Sequence, residues 1–235
     1  MGNVIGNLIY DGKDSRDWGV IVGSINTHNA PQRVVEEVAI PGRNGTLTID
    51  SGRFENIVIS YKAMILNEFA DKFDEFKAFL LSRVGYARLE DSFNPSFYRM
   101  AKVHDAFEPS VILFDAAGKF EIPFDCDPRR FLKSGEKVIT FTANGTIQNP
   151  TYFDAKPLLR VEGTGTITIN SKVITITENQ TYIYIDLESL NAYHETTNMN
   201  NKVSIEDGMV LKPGNNTISI SGVTEVRVTP RWWTI

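Results

Sequence analysis

The feature that most constrains this chain is the pattern of its last third, residues 158–233, where short alternating stretches follow one another with almost no helix-forming sequence between them. Residues 166–169, 173–177, 182–187, 202–205 and 217–220 each place an apolar side chain on every second position, and Asn, Gly, Ser or Pro separate them. A period of two suits a strand with one face buried and one face wet. The expected fold class is therefore mainly β, with a β-sandwich in the second half. Such a module ordinarily presents a surface rather than a catalytic cleft.

Composition narrows the function classes further. With 42% apolar and 23% charged residues, the chain has the balance of an ordinary folded protein rather than a disordered one. A formal charge of −5 argues against a dedicated nucleic-acid binder, because such affinity rests on Lys and Arg neutralising phosphates. No window approaches the roughly 20 apolar residues that a membrane-spanning helix needs. Residues 1–10 lack the basic region and apolar core of an export signal. Met1 and Gly2 resemble the start of a myristoylation site, but Gly6 stands where that site needs Ser or Thr. Folding in a cytoplasm is the expectation, and the Asn-x-Ser/Thr sites at Asn44, Asn144, Asn179 and Asn215 read as turn asparagines.

Chemistry-bearing residues are sparse. Cys126 is the single cysteine, so no intramolecular disulfide can form, and its neighbours Asp125 and Asp127 would raise the thiol pKa rather than activate it. A structural thiol at a strand end is expected, with Asp125 and Asp127 serving a turn into Pro128. His28, His104 and His194 fit no metal-ligand spacing, and no glycine-rich phosphate loop or nucleophile elbow is present. Expected, then, are no catalytic residues, no cofactor and no bound metal.

Residues 1–133 read differently. A strand is expected over 19–25, and strands over 34–40 and 46–50 flank a turn in which Asn44 and Gly45 both tolerate positive φ. Alternation continues over 54–66. One helix follows, because Phe69, Phe73, Phe76 and Leu80 recur every three or four residues and form one apolar stripe. Asn67 is the expected N-cap, Glu68 suits the positive end of the helix dipole, and Gly85 can close the helix in a left-handed conformation. Strands are expected again over 87–90, 96–103, 110–114 and 119–124.

Taken in order, four features of the first half carry a family likeness: the early strand with Trp18 and Gly19, the Ile-Pro-Gly-Arg-Asn-Gly-Thr-Leu hairpin at 40–47, the Phe-rich helix, and the Cys-Asp-Pro-Arg-Arg-Phe junction at 126–131. The stretch 211–222 and the closing Pro230, Arg231, Trp232 and Trp233 extend the likeness over nearly the whole chain. In this order they resemble the phage distal tail proteins, ring components at the tip of long non-contractile tails. The resemblance implies an N-terminal β-sandwich or split-barrel-like domain with one α-helix (residues 1–133), completed by a strand from 225–235. It also implies a galectin-like β-sandwich (134–224) carried outside a six-membered ring.

That resemblance further implies a structural hub in the virion tail tip, assembled in the bacterial host cytoplasm. Its expected partners are copies of itself, the tail tube protein, the tape-measure protein and a tail-associated lysin, adhesin or baseplate protein. DNA would pass through the ring without specific binding, and a modestly acidic lining would suit that passage. An alternative of another class is a non-catalytic carbohydrate-binding module with an accessory β domain, using Trp232 or Trp233 as a stacking platform. Against it, the likeness to galectins is one of fold, since the His-x-Asn-x-Arg and Trp-Gly-x-Glu motifs are missing. A core role for the tryptophan pair, one ring buried and one at an edge, is the expectation. The sandwich core should be filled by Ile139, Phe141, Leu159, Val161, Ile167, Ile169, Ile174, Ile176, Ile183, Ile185, Val203, Ile218 and Ile220.

Overall fold

The alternation in the sequence becomes strand along most of the chain. A computed structural model describes residues 6–25, 29–103, 105–113, 116–179 and 181–235. Two compact units result, one from the residues up to Arg130 with Ile235, the other from Phe131–Thr234.

In the first unit, strands β1 (Leu8–Tyr10), β2 (Lys13–Asp14), β3 (Ile21–Ile25), β6 (Ile57–Ile65), β7 (Ala87–Asp91), β8 (Phe97–Lys102), β9 (Ser110–Leu113) and β10 (Ala117–Leu132) belong to one sheet. Its order is β2-β1-β7-β8-β10-β6-β3, with β9 also on β10. Strands β4 (Arg33–Ala39) and β5 (Thr46–Phe54) form a separate two-stranded sheet. On β6 the expected alternation holds along its length: Ile57, Ile59, Tyr61, Ala63 and Ile65 are buried and the residues between them are not. Helix α1 (Phe69–Ser82) contributes Phe69, Phe73, Phe76 and Leu80 to the same core. Each such ring removed from water contributes about 1.5–3 kcal/mol, which outweighs the weak local propensity of a helix this short. The rings interlock: Phe69 stacks on Phe73 at 5.3 Å, Phe73 meets Phe120 edge-on at 5.0 Å, and Trp18 stacks on Phe79 at 4.8 Å.

Several local expectations are corrected. The N-cap of α1 is Glu68, not Asn67; its backbone is left-handed (φ 54, ψ 50) and its side chain makes no capping bond. Its carboxylate instead pairs with Lys72 at 2.8 Å, which aligns it with the helix flank rather than the free amides. The helix ends at extended Arg83, and Gly85 takes its positive φ two residues later, in the approach to β7. In the hairpin turn the left-handed positions are Gly42 and Gly45; Asn44 keeps an ordinary negative φ. A 3-10 turn, Ser15–Trp18, precedes β3, capped by Asp14, whose side chain accepts the Arg16 amide at 2.9 Å, and closed by left-handed Gly19.

Strand β10 is far longer than the 119–124 expected and runs straight through Pro128 with no turn. Its pairing to β6 stops at Cys126 opposite Ile57. Pro128 therefore costs no ladder hydrogen bond on that side.

The second unit is built on two long strands, β13 (Leu158–Ile169) and β19 (Gly214–Thr229), which pair with each other throughout. Around them lie β11 (Ile139–Phe141), β12 (Gly145–Asn149), β14 (Lys172–Ile176), β15 (Ile183–Asp186), β16 (Asn191–His194), β17 (Thr197–Asn198) and β18 (Val203–Ile205), while the last strand, β20 (Trp233–Thr234), pairs with β10. Both long strands break register at Gly163, Thr166 and Val223. Before and after this bend their partners differ. The stretch 165–169 of β13 and 214–218 of β19 pair with β14 and β12, whereas 158–161 and 226–228 pair with β15 and β11. The bend thus carries the same two strands from one layer of a sandwich into the other, the usual role of bulges at sandwich corners. Glycine is required there: a Cβ on Gly165 (φ +140) would lie 2.1 Å from the Ser221 carbonyl oxygen, and one on Gly222 (φ +81) 2.7 Å from that of Thr164.

The inward faces share one core in which the expected residues are buried or packed at its edge, Ile139 excepted. Ile139 is 36% exposed because β11 is an edge strand and only Phe141 reaches inward. Residues 225–229, expected to leave the sandwich, are instead the far half of β19, since the bend at Gly222 lets the strand continue in the second layer. Beyond it, the Arg231 amide donates to the Gly135 carbonyl at 2.8 Å and the Leu132 amide to the Trp232 carbonyl at 2.9 Å.

Candidate assembly surfaces

The β4–β5 hairpin stands apart from both cores. Its register pairs Arg33 with Phe54 and Ala39 with Thr46, with one bulge between Arg33 and Val35. Directly opposed residues share a face. One face therefore presents Val35, Glu37, Ala39, Thr46, Thr48 and Asp50, while the other presents Glu36, Val38, Leu47 and Ile49. The polar face closes on itself: Glu37 accepts from Thr46 and, at 2.8 Å, from Thr48. Arg33 pairs with Asp50 at 2.7 Å and lies 5.1 Å over the Phe54 ring. The apolar face has no such closure, and Leu47 and Ile49 are 44% and 48% exposed. A lone two-stranded ribbon is marginal in water, and a ribbon with one greasy face gains most from a partner that covers it.

A second exposed apolar pair, Val111 and Ile112, lies on the short strand β9. Next to it, an open groove of about 450 Å³ is lined by Gly23, Lys62, Lys119, Glu108, Glu121 and neighbouring residues. Two lysines and two glutamates share its lining with Ala63, Met64 and Phe120.

Cys126 is fully buried, with its Sγ 3.5 Å from the Phe124 carbonyl. Burial, helped by Asp125 and Asp127 and opposed by Arg99, pushes its pKa up to about 12, so the reactive thiolate is not formed at neutral pH. Asp125 and Asp127 lie on the opposite face of β10 and do not act as a pair. Asp125 accepts from Asn56 at 2.9 Å and pairs with Lys102 at 3.2 Å, whereas Asp127 is bound by the backbone and side chain of Arg129. His28 and His104 lie outside the described residues; His194 has its Nδ1 2.7 Å from the Tyr182 carbonyl oxygen. Among the described residues no three His, Cys, Asp or Glu side chains gather as a metal site.

The tryptophan pair divides as expected. Trp232 is buried in the second core, and Trp233 stacks on Phe153 at 4.3 Å while its Nε1 donates to the Asp154 carbonyl at 2.9 Å. Trp232 presents no open face, and Trp233 has one face covered by Phe153. One organising residue escaped the sequence reading. Asn216, fully buried, donates to the carbonyls of Lys212 (2.8 Å) and Gly214 (3.0 Å) and accepts from the Lys212 amide (2.8 Å), tying the turn that opens β19. The Pro-Gly-Asn-Asn run marks a turn, but nothing in it distinguishes Asn215 from Asn216.

No protein-family model matches this chain, and no curated protein matches it in sequence. Solved structures do. The chain superposes on SPP1 Dit (gp 19.1), a paradigm of the hub adsorption apparatus in phages infecting Gram-positive bacteria, with TM-score 0.73 and 15% identity over 98% of this chain and 100% of that one. It also matches a chain of the phage P2 baseplate in its activated conformation with Ca, with TM-score 0.52 and 11% identity over 96% of this chain and 98% of that one. The chain has the fold of a phage tail hub protein. The resemblance read from the sequence therefore holds for the fold, end to end and through both units. Identity this low establishes the fold alone.

Proposed function

We propose that this chain is a structural hub protein of a long-tailed phage or prophage, located in the virion tail tip, where it joins the tail tube to the baseplate or host-adhesion proteins. The observation that carries the reading is the match to SPP1 Dit, which spans both units and covers 98% of this chain and all of that one. A structural rather than catalytic role accords with it: the buried Cys126, the separately paired Asp125 and Asp127, and the surfaces described above are all features of packing and docking.

The finer architecture belongs to the same proposal. The first unit forms a homo-hexameric ring with a central passage for DNA, and the second serves as a docking module. A closed ring requires two different complementary faces on each subunit. The hairpin supplies one candidate, since its apolar face has area to bury and its edges can extend a neighbour's sheet. The carbohydrate-binding alternative loses its motivation, because the rings that would have stacked on sugar are engaged by Phe153 and the core.

Light scattering and negative-stain imaging of the purified full-length chain test this reading. A mass of six subunits and annular particles are expected. A monomer at every concentration, alone and mixed with tube and baseplate proteins from the same genome, overturns the ring.

A further inference from the structure

The chain carries the same tripeptide twice, Asn44-Gly45-Thr46 and Asn144-Gly145-Thr146, and the fold treats the two copies differently. An asparagine followed by glycine readily loses its side-chain amide. The glycine nitrogen, with no Cβ beside it, meets little crowding as it approaches the asparagine Cγ. Because the reacting residues are identical, the surroundings that the fold supplies decide which copy reacts.

Asn44 lies in the turn of the β4–β5 hairpin. The ladder ends at Ala39 opposite Thr46, and residues 41–45 beyond it are exposed. One bond crosses the turn, from the Arg43 amide to the Ile40 carbonyl at 3.2 Å. Among the described residues, neither the Asn44 carboxamide nor the Gly45 amide has a hydrogen-bond partner. Nothing lies within 4 Å of a Cβ built on Gly45, so the approach to Cγ is open. Asn144, just before β12, is held instead. Its Oδ1 accepts the Ile220 amide at 2.9 Å, and Gly145 is already paired with Ile218 of β19. A Cβ on Gly145 would lie 2.8 Å from the Phe141 ring, so this glycine is also packed. For the Gly145 nitrogen to reach Cγ, the Asn144 side chain must release Ile220 and the strand must part from β19.

We propose that Asn44 is a site of spontaneous deamidation in the folded chain and that the fold protects Asn144 from the same reaction. The Gly45 nitrogen gives up its proton to hydroxide and bonds to the Asn44 Cγ. The Cγ–Nδ2 bond breaks, and Nδ2 leaves as ammonia with a proton taken from water. Water then opens the five-membered imide at either carbonyl and returns a proton to the Gly45 nitrogen, giving aspartate or isoaspartate. No electrons are transferred, and water is the only co-reactant. Each event places a negative charge in the turn, and isoaspartate also adds a methylene to the backbone between β4 and β5.

The full chain, incubated at mildly alkaline pH both folded and in urea and followed by peptide mapping with mass spectrometry, tests the site. In the folded chain, Asn44 should convert at least about tenfold faster than Asn144, since the latter must first break hydrogen bonds. In urea the two rates should converge. Asn44→Gln should abolish the conversion in the turn and leave the rate at Asn144 unchanged. An intact Asn44, or equal conversion of both asparagines in the folded chain, overturns the proposal. A rate ratio that persists in urea overturns it as well, because the contrast would then come from flanking residues rather than from the fold.

Discussion

Among single residues, Asn216 and Gly165 separate what the sequence states from what only the fold reveals. Replacing Asn216 by Ala strands the Lys212 amide and two carbonyls in a buried turn. The expected loss is about 3 kcal/mol in a denaturant titration, against less than about 0.5 kcal/mol for exposed Asn215→Ala. Equal costs for the two would remove Asn216 from its role. At Gly165, an Ala side chain would meet the Ser221 carbonyl oxygen at 2.1 Å from a backbone held at φ +140. A cost of about 3 kcal/mol or more is expected. Gly208 (φ +72), where nothing lies within 4 Å of the added Cβ, should cost only about 1 kcal/mol as Ala. That contrast separates crowding from backbone strain. The inertness of Cys126 was legible beforehand, because flanking carboxylates and an apolar run are local facts. The choice between Asn215 and Asn216 was not, because it depends on which face of β19 turns inward, and that is set by β12 and β13 across the sheet.

At the scale of elements, apolar periodicity was a sound guide to where α1 and β6 run and which sides they bury, but it failed at their ends. Glu68 is left-handed and pairs with Lys72, so the cap signal at Asn67 went unused. Strands β10, β13 and β19 outran their expected limits because long-range pairing, not local alternation, holds 125–132, 158–162 and 221–229 extended. The segment after β19 is fixed by charge as much as by Trp232. Arg231 grips Asp186, at the end of β15, through two bonds of 2.7 and 3.2 Å. Burial alone would raise the Asp186 pKa, but hydrogen bonds from Arg231 and from the Glu188 and Ser189 amides more than offset it and hold it below the ordinary value. A depressed carboxylate pKa contributes stability that is fully present above the unfolded value, about 3.9, and is lost as pH falls through the folded value. Asp186→Asn should accordingly lower the melting temperature at pH 7 and flatten its decline below about pH 4. A decline as steep as that of the wild type would mean that other carboxylates govern acid unfolding.

For the whole molecule, the decisive question is what covers the hairpin. Its turn was visible in the Pro-Gly-Arg-Asn-Gly run, yet its isolation from the main sheet was not, because the spacing of 33–54 is equally that of an ordinary sheet hairpin. Only the register shows that Val38, Leu47 and Ile49 gather on one exposed face while the opposite face bonds to itself. Leu47→Asp with Ile49→Asp puts two charges on that face without touching either core. If the face is a contact between subunits, burying those charges without partners costs several kcal/mol per interface and recurs at every junction of a ring. The double variant should keep the circular dichroism spectrum of the wild type and a stability within about 1 kcal/mol of it, since both positions are solvent-exposed in the single chain. It should nonetheless sediment as a monomer where the wild type sediments as a ring. A variant that still closes the ring would move the contact elsewhere, with the apolar pair Val111 and Ile112 beside the charged groove as the next surface to alter. A variant that unfolds would show instead that the ribbon stabilises its own subunit, and its apolar face would then be part of the monomer's fold rather than of its assembly.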